Sequence, residues 1–145
     1  MYRRILVPTD GGPETDRAAE CALDLAARYD AALYVLFVVD TNALPLDAHA
    51  RRMFEHVEDE GYRAETELVE RADEMGIAPV VSEVGEGSPH EVIARYVEDN
   101  DIDLVVMGTH GRRGLDRYLL GSVTERVLRL TDVPVLVVRT GEEPE

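Results

Sequence analysis

The chain has 145 residues, 45% of them hydrophobic and 31% charged, which is the balance of one globular domain with a single core. No apolar run reaches the roughly 18 to 20 residues that span a bilayer, no signal-peptide pattern precedes the first apolar segment, and one cysteine excludes an internal disulfide. Thirty acidic residues against fifteen arginines give a net charge of −15, so DNA, RNA and anionic membranes are not expected partners.

Five segments are predicted to be β-strands. Four are near-continuous runs of Val, Ile and Leu, which indicates parallel strands covered on both faces, while the segment 79–87 gives a weaker signal. In chain order the predicted strands are 4–9, 32–40, 79–87, 103–109 and 133–138.

Helical patterns alternate with these strands. Four helices are predicted. The first begins at Pro13, and the second covers 46–75 and stops at Gly76. The third begins at Ser88-Pro89, and the fourth runs from Gly121-Ser122 to Leu130. Strand–helix alternation of this kind predicts an open α/β sheet with right-handed crossovers, built as one doubly wound domain over 1–145.

The segment "GTHGRRGLDRYLLGS" joins the fourth strand to the last helix. In open α/β sheets, ligands bind outside the carboxyl ends of the strands, where glycines let backbone N–H groups approach an anion. Ser122 adds a hydroxyl at a helix start, where unpaired N–H groups and the helix dipole favour phosphate. Arg112, Arg113 and Arg117 add positive charge. The segment therefore predicts a phosphate-binding turn.

Three common phosphate sites do not fit. A Walker loop requires a lysine, which this chain lacks, and "PTDGGPET" after the first strand is not a G-x-G-x-x-G dinucleotide fingerprint. A phosphoryl-accepting receiver domain needs an aspartate after the third strand and a lysine after the fifth, whereas the third strand here ends in "VGEG".

The spacing of Gly108, Gly111, Gly121 and Ser122 is G-x2-G-x9-G-S, and it resembles the signature of the nucleotide-binding branch of the universal stress protein family. "RRILVPTD", "FVVD", "DIDLVVMGTHG" and "GSVTERVLRLTDVPVLVVR" also resemble family segments, so the resemblance covers nearly the whole chain. It implies a Rossmann-like, adenine nucleotide alpha hydrolase-like domain with a five-stranded parallel sheet in the order 3-2-1-4-5.

The resemblance also implies a set of site residues. Asp10 would hold the ribose hydroxyls, and the backbone of Val38 would meet the adenine edge. The phosphates of ATP would carry Mg²⁺ or Mn²⁺, so no metal ligand is assigned to the protein. Residues implied at the base and sugar are Pro8, Thr9 and Met107, and those implied at the phosphates are Gly108, Gly111, Arg112, Gly121, Ser122, Val123 and Thr124.

Each of these features also has a purely structural interpretation. Asp10 would serve as a strand-end cap, the glycines as turn residues, and the arginines as a solvated loop. His110 has no partner histidine nearby in the sequence and is interpreted as a packing or surface residue. The loop of nine between Gly111 and Gly121 is longer than most connections in α/β units, which favours a ligand.

The resemblance implies an ATP-binding regulatory or stress-response protein, and the lack of a spanning run or signal-peptide pattern predicts a cytoplasmic one. The alternatives are a weak ATPase or a binder of AMP or another adenine nucleotide. No carboxylate positioned as a general base follows the glycine loop closely, which favours binding over turnover.

The sequence also leads to expectations about homodimer formation and about the salt concentration to which the protein is adapted. The apolar segment 133–139 is expected at a sheet edge, where it would pair with a second copy to form a homodimer, an assembly that the family resemblance also implies. The acidic surface is typical of adaptation to concentrated salt, where the Debye length falls to about 3 Å near 1 M.

Overall fold

The computed structural model describes residues 2–10, 16–40, 66–109 and 121–139. Five strands and four helices are described. The strands are β1 (Arg4–Thr9), β2 (Ala32–Asp40), β3 (Val80–Gly87), β4 (Leu104–Gly108) and β5 (Val135–Val138). The helices are α1 (Asp16–Tyr29), α2 (66–74 within the described part), α3 (Pro89–Asp99) and α4 (Ser122–Leu130).

The strands form one parallel sheet in the order β3-β2-β1-β4-β5, which confirms the predicted fold class and strand order. The central strand is β1, where Ile5 pairs with Leu33 of β2 on one side and Leu104 of β4 on the other. Because all strands run the same way, their carboxyl ends lie at one edge of the sheet, and α3 and α4, which follow β3 and β4, begin at that edge.

Two apolar layers cover the two faces of the sheet. The first core layer packs α1 and α2 on one face, and the second packs α3 and α4 on the other. Alternation along each strand divides the side chains between the layers. In β4, for example, Leu104 and Val106 enter the first layer, whereas Val105 and Met107 enter the second.

Prolines and glycines explain where several elements begin and end. β3 and β5 start one and two residues later than predicted, since Pro79 and Pro134 have no N–H to donate to a neighbouring strand. The predicted helix stop at Gly76 is confirmed, with a φ of +76°. Ser88 is the N-cap of α3 and Pro89 its first residue, as predicted.

β4 is one residue shorter than predicted at each end, and both excluded residues make other contacts. The Asp103 carboxylate accepts the backbone N–H groups of Arg3 and Arg4 at 2.8 and 3.1 Å, which ties the start of β4 to the start of β1. Thr109 donates its N–H to the Val138 carbonyl at 2.9 Å.

Several predictions lie outside the described residues. They are the helix start at Pro13, the helical stretch from 46 to 65, and the loop residues Gly111 and Arg112. No helix in the described part of the chain is long and apolar enough to cross a membrane.

Candidate functional site

The fold brings the described candidate residues to the carboxyl edge of the sheet. Thr9 is the last residue of β1 and Asp10 follows it directly. Val38 lies two residues before the end of β2, and Met107 and Gly108 end β4. Since β1 lies between β2 and β4, these residues occupy three neighbouring strand ends.

An apolar wall forms on one side of this edge. Val38 and Met107 belong to the second core layer, and they are 8% and 6% exposed. Val123, in the first turn of α4, packs against the same layer. Pro8 is buried in β1 and lies two residues after Leu6, so both are on the face of the sheet that carries the second core layer. These residues give this side of the sheet edge an apolar lining.

The junction of β4 and α4 is built by three hydrogen bonds around Thr109. The Gly121 N–H donates to the Thr109 carbonyl at 2.7 Å, and the Thr109 N–H donates to Val138 at 2.9 Å. The Thr124 hydroxyl donates to the Gly108 carbonyl at 2.9 Å. The end of β4 is therefore held against both β5 and the first turn of α4.

The N-terminus of α4 offers backbone donors at this junction. The first bond within the helix runs from the Glu125 N–H to the Gly121 carbonyl at 3.0 Å. The N–H groups of Ser122, Val123 and Thr124 precede that bond, so none has an acceptor inside the helix. Gly121 is the N-cap, and no side chain caps the helix there. Unpaired donors and the positive end of the helix dipole together favour an anion.

The structure adds detail that the sequence pattern does not contain. Gly121, which the resemblance implies at the phosphates, has its N–H bonded to the Thr109 carbonyl. The backbone of Thr109 and the hydroxyl of Thr124 were not predicted to take part. The one available signal was a polar residue at 124 on the inner stripe of α4, three positions before the buried Val127.

Gly111 and Arg112, which the resemblance implies at the phosphates, lie outside the described residues. Among the residues that the structure describes, no three His, Cys, Asp or Glu side chains converge as metal ligands would.

Comparisons with known proteins agree on one family. The family model "Universal stress protein family" matches residues 1–139. A universal stress protein of Methanocaldococcus jannaschii is 38% identical over 142 residues, which is 96% of this chain and 83% of that relative. Among solved structures, the protein MJ0577 superposes with a TM-score of 0.86 at 28% identity over 99% of both chains. A universal stress protein solved in complex with cAMP has a TM-score of 0.71 at 26% identity, covering 97% of this chain and 98% of that one.

Proposed function

Because this chain belongs to the universal stress protein family, we propose that it is an ATP-binding regulatory protein of the stress response, which holds the nucleotide rather than turning it over rapidly. The nucleotide would lie across the carboxyl ends of β2, β1 and β4. The base would rest against Val38 and Met107, and the phosphates would face the first turn of α4.

The observation that carries this proposal is the junction of β4 and α4. The Thr124 hydroxyl, bonded to the Gly108 carbonyl, holds the first turn of α4 against the end of β4, and the N–H groups of Ser122 and Val123 in that turn have no acceptor inside the helix. Glycine at 108 and at 121 adds no side chain at this junction. An anionic group fits there because both the donors and the helix dipole favour negative charge.

The sugar and the base have matching partners nearby. Asp10 follows β1 at the strand end between Val38 and Met107, where a carboxylate can accept hydrogen bonds from two ribose hydroxyls. A similar protein has been solved in complex with cAMP, which supports an adenine nucleotide as the ligand class. A divalent cation such as Mg²⁺ would be carried by the phosphates.

Self-association belongs to the same proposal. β5 lies at one edge of the sheet, and Leu136 on it is 40% exposed. The neighbouring helix α4 exposes Leu128 and Leu130 at 39% and 53%. A second copy, with its own β5 paired antiparallel to this one, would form hydrogen bonds with the backbone groups at the open edge of β5 and cover apolar surface.

Replacing the glycine at the α4 N-cap tests the site. Gly121 has φ −62° and ψ 152°, a conformation open to any residue, so Gly121→Val should fold normally. Its branched side chain would occupy the phosphate position, and we expect calorimetry with MgATP in high salt to show no binding. AMP and cAMP titrated in parallel identify the preferred nucleotide.

Ser88→Val is the matched control, since Ser88 is the N-cap of α3 and has a similar extended backbone, with φ −70° and ψ 117°. No side-chain hydrogen bond caps α3 there, so this variant should fold and still bind ATP. A folded Gly121→Val protein with wild-type affinity would refute the site.

A further inference from the structure

The side chain of Thr124 is polar, yet it lies in the apolar layer between α4 and the sheet. It is 3% exposed, and the described residues include one other buried polar side chain, Thr9. Its hydroxyl donates to the Gly108 carbonyl, 16 positions earlier in the chain, at 2.9 Å. A buried hydroxyl without a partner is costly, so this bond specifies where the first turn of α4 sits on β4.

A second bond lies directly beside it. The Thr109 carbonyl, next along the chain, accepts the Gly121 N–H at 2.7 Å. Consecutive carbonyls at the end of β4 are thus both bonded to the first turn of α4, one through a side chain and one through the backbone. Together they set the distance between the end of β4 and the start of α4.

This arrangement has an electrostatic consequence. A carbonyl oxygen carries partial negative charge and would repel a phosphate. Since the oxygens of Gly108 and Thr109 are directed to Thr124 and Gly121, they do not face an anion at the strand end. What remains directed there is the set of N–H groups at Ser122 and Val123.

We propose that Thr124 is a positioning residue for nucleotide binding, and that it acts through its hydroxyl rather than through its backbone alone. By holding the Gly108 carbonyl, it keeps β4 and α4 in the spacing that a phosphate requires. This inference rests on the proposed function, because it concerns how the same site is kept in shape before the ligand arrives.

Thr124→Val tests the role, since valine has nearly the same shape and lacks the hydroxyl. We expect the full-length variant to fold and to bind MgATP about tenfold more weakly, the cost of one lost hydrogen bond in this setting. Thr124→Ser, which keeps the hydroxyl, should restore the affinity. If the valine variant does not fold, Thr124→Ala takes its place.

Thr131→Val is the control for a purely structural effect. The Thr131 hydroxyl donates to the Val127 carbonyl at 2.9 Å, so the same kind of bond is removed from the opposite end of the same helix. It should destabilise the protein, though less than Thr124→Val because the Val127 carbonyl also accepts the Thr131 N–H at 3.1 Å, and it should leave the ATP affinity as in the wild type. Equal losses of affinity in the two valine variants would overturn the positioning role.

A ligand-free measurement separates this inference from the proposed function. In Thr124→Val without nucleotide, the Gly121 N–H should exchange with solvent at least several-fold faster, because its bond to Thr109 loses support from the adjacent one. Wild-type protein that binds ATP, with a Thr124→Val variant that binds equally well, would overturn the inference alone. Wild-type protein that binds no ATP would overturn both.

Discussion

Tyr96, on the inner face of α3, places its hydroxyl between the helix and the sheet, where no hydrogen bond of standard geometry to it is found. Its ring meets that of Tyr34 edge to face, with centroids 6.3 Å apart. Burial, and after it the negative charge of Glu83, raises the pKa of Tyr96 well above its ordinary value. The folded protein therefore keeps a proton that the unfolded chain releases in alkali.

The sign of the resulting pH dependence follows from that difference. The contribution of Tyr96 to stability is fully present below the ordinary tyrosine pKa of about 10, and it is lost as pH rises above that value. We expect the unfolding free energy of the wild type to fall by about 1.4 kcal/mol per pH unit in that range on account of Tyr96. Denaturant melts of Tyr96→Phe should lack this component.

Tyr29→Phe is the control, because that phenol is 44% exposed and packs against Tyr2. Its alkaline slope should match the wild type. A Tyr96→Phe protein that loses stability as steeply as the wild type would assign the alkaline transition to another group.

At the scale of elements, α3 approaches the edge strand β3 unusually closely. A Cβ built on Gly85 would lie 2.6 Å from Cγ1 of Val92, and one on Gly87 would lie 3.1 Å from Cγ2 of the same side chain. Both methyl groups of Val92 are therefore in contact with strand glycines, and rotation about χ1 would not relieve a clash with either. The two glycines of "VGEG" thus allow the helix to pack on the strand.

A double-mutant cycle measures that contact. Gly85→Ala alone should destabilise the protein by about 1 to 3 kcal/mol, the usual cost of overpacking a core. Val92→Ala removes the methyl that the new side chain meets, so the double variant should be more stable than the sum of the single effects allows. Additive losses in chemical denaturation would mean that the alanine at 85 disturbs something other than Val92.

At the scale of the whole molecule, β5 is an edge strand, with β4 on one side and no strand of the described residues on the other. The Pro134 carbonyl accepts the Val105 N–H at 3.0 Å, and the Val138 carbonyl accepts the Thr109 N–H at 2.9 Å. Because backbone groups alternate between the two sides of a strand, Leu136 directs its N–H to β4 as well, and Val137 directs its own away from the sheet. The Leu136 N–H therefore belongs to the pairing with β4, and the Val137 N–H belongs to the open edge of the sheet.

Proline substitution distinguishes the two sides of β5. Leu136→Pro removes a bond to β4 and should unfold the domain or lower its unfolding free energy by several kcal/mol. Val137→Pro should leave the fold intact and weaken the proposed homodimer, because it removes a donor only from the open edge. Sedimentation in high salt measures association, and circular dichroism confirms folding. Wild-type protein that is monomeric at tens of micromolar would refute the dimer before either variant is made.

The alternation of strands and helices, and with it the fold class, could be predicted from the sequence alone. The signals are local: continuous apolar runs for β1, β2 and β4, a glycine at 76 that ends α2, and Ser88-Pro89 at the start of α3. Each signal acts on the backbone within a few residues, so the strand or helix end that it marks can be recognised from the sequence alone. β3 gave a weak signal because this strand contains two glycines and carries Ser82, Glu83 and Glu86 exposed to solvent.

The candidate site divides in the same way. The glycine spacing located it at the turn between β4 and α4, since positions needing bare backbone are marked by residue type. Three contacts are known only from the tertiary structure. The Thr124 hydroxyl donates to the Gly108 carbonyl, and Val92 lies against Gly85. The backbone N–H of Leu136, rather than that of Val137, is directed to β4. Such contacts depend on how helices and strands pack on one another, which both core layers determine together, so the residue type at one position does not identify its partner.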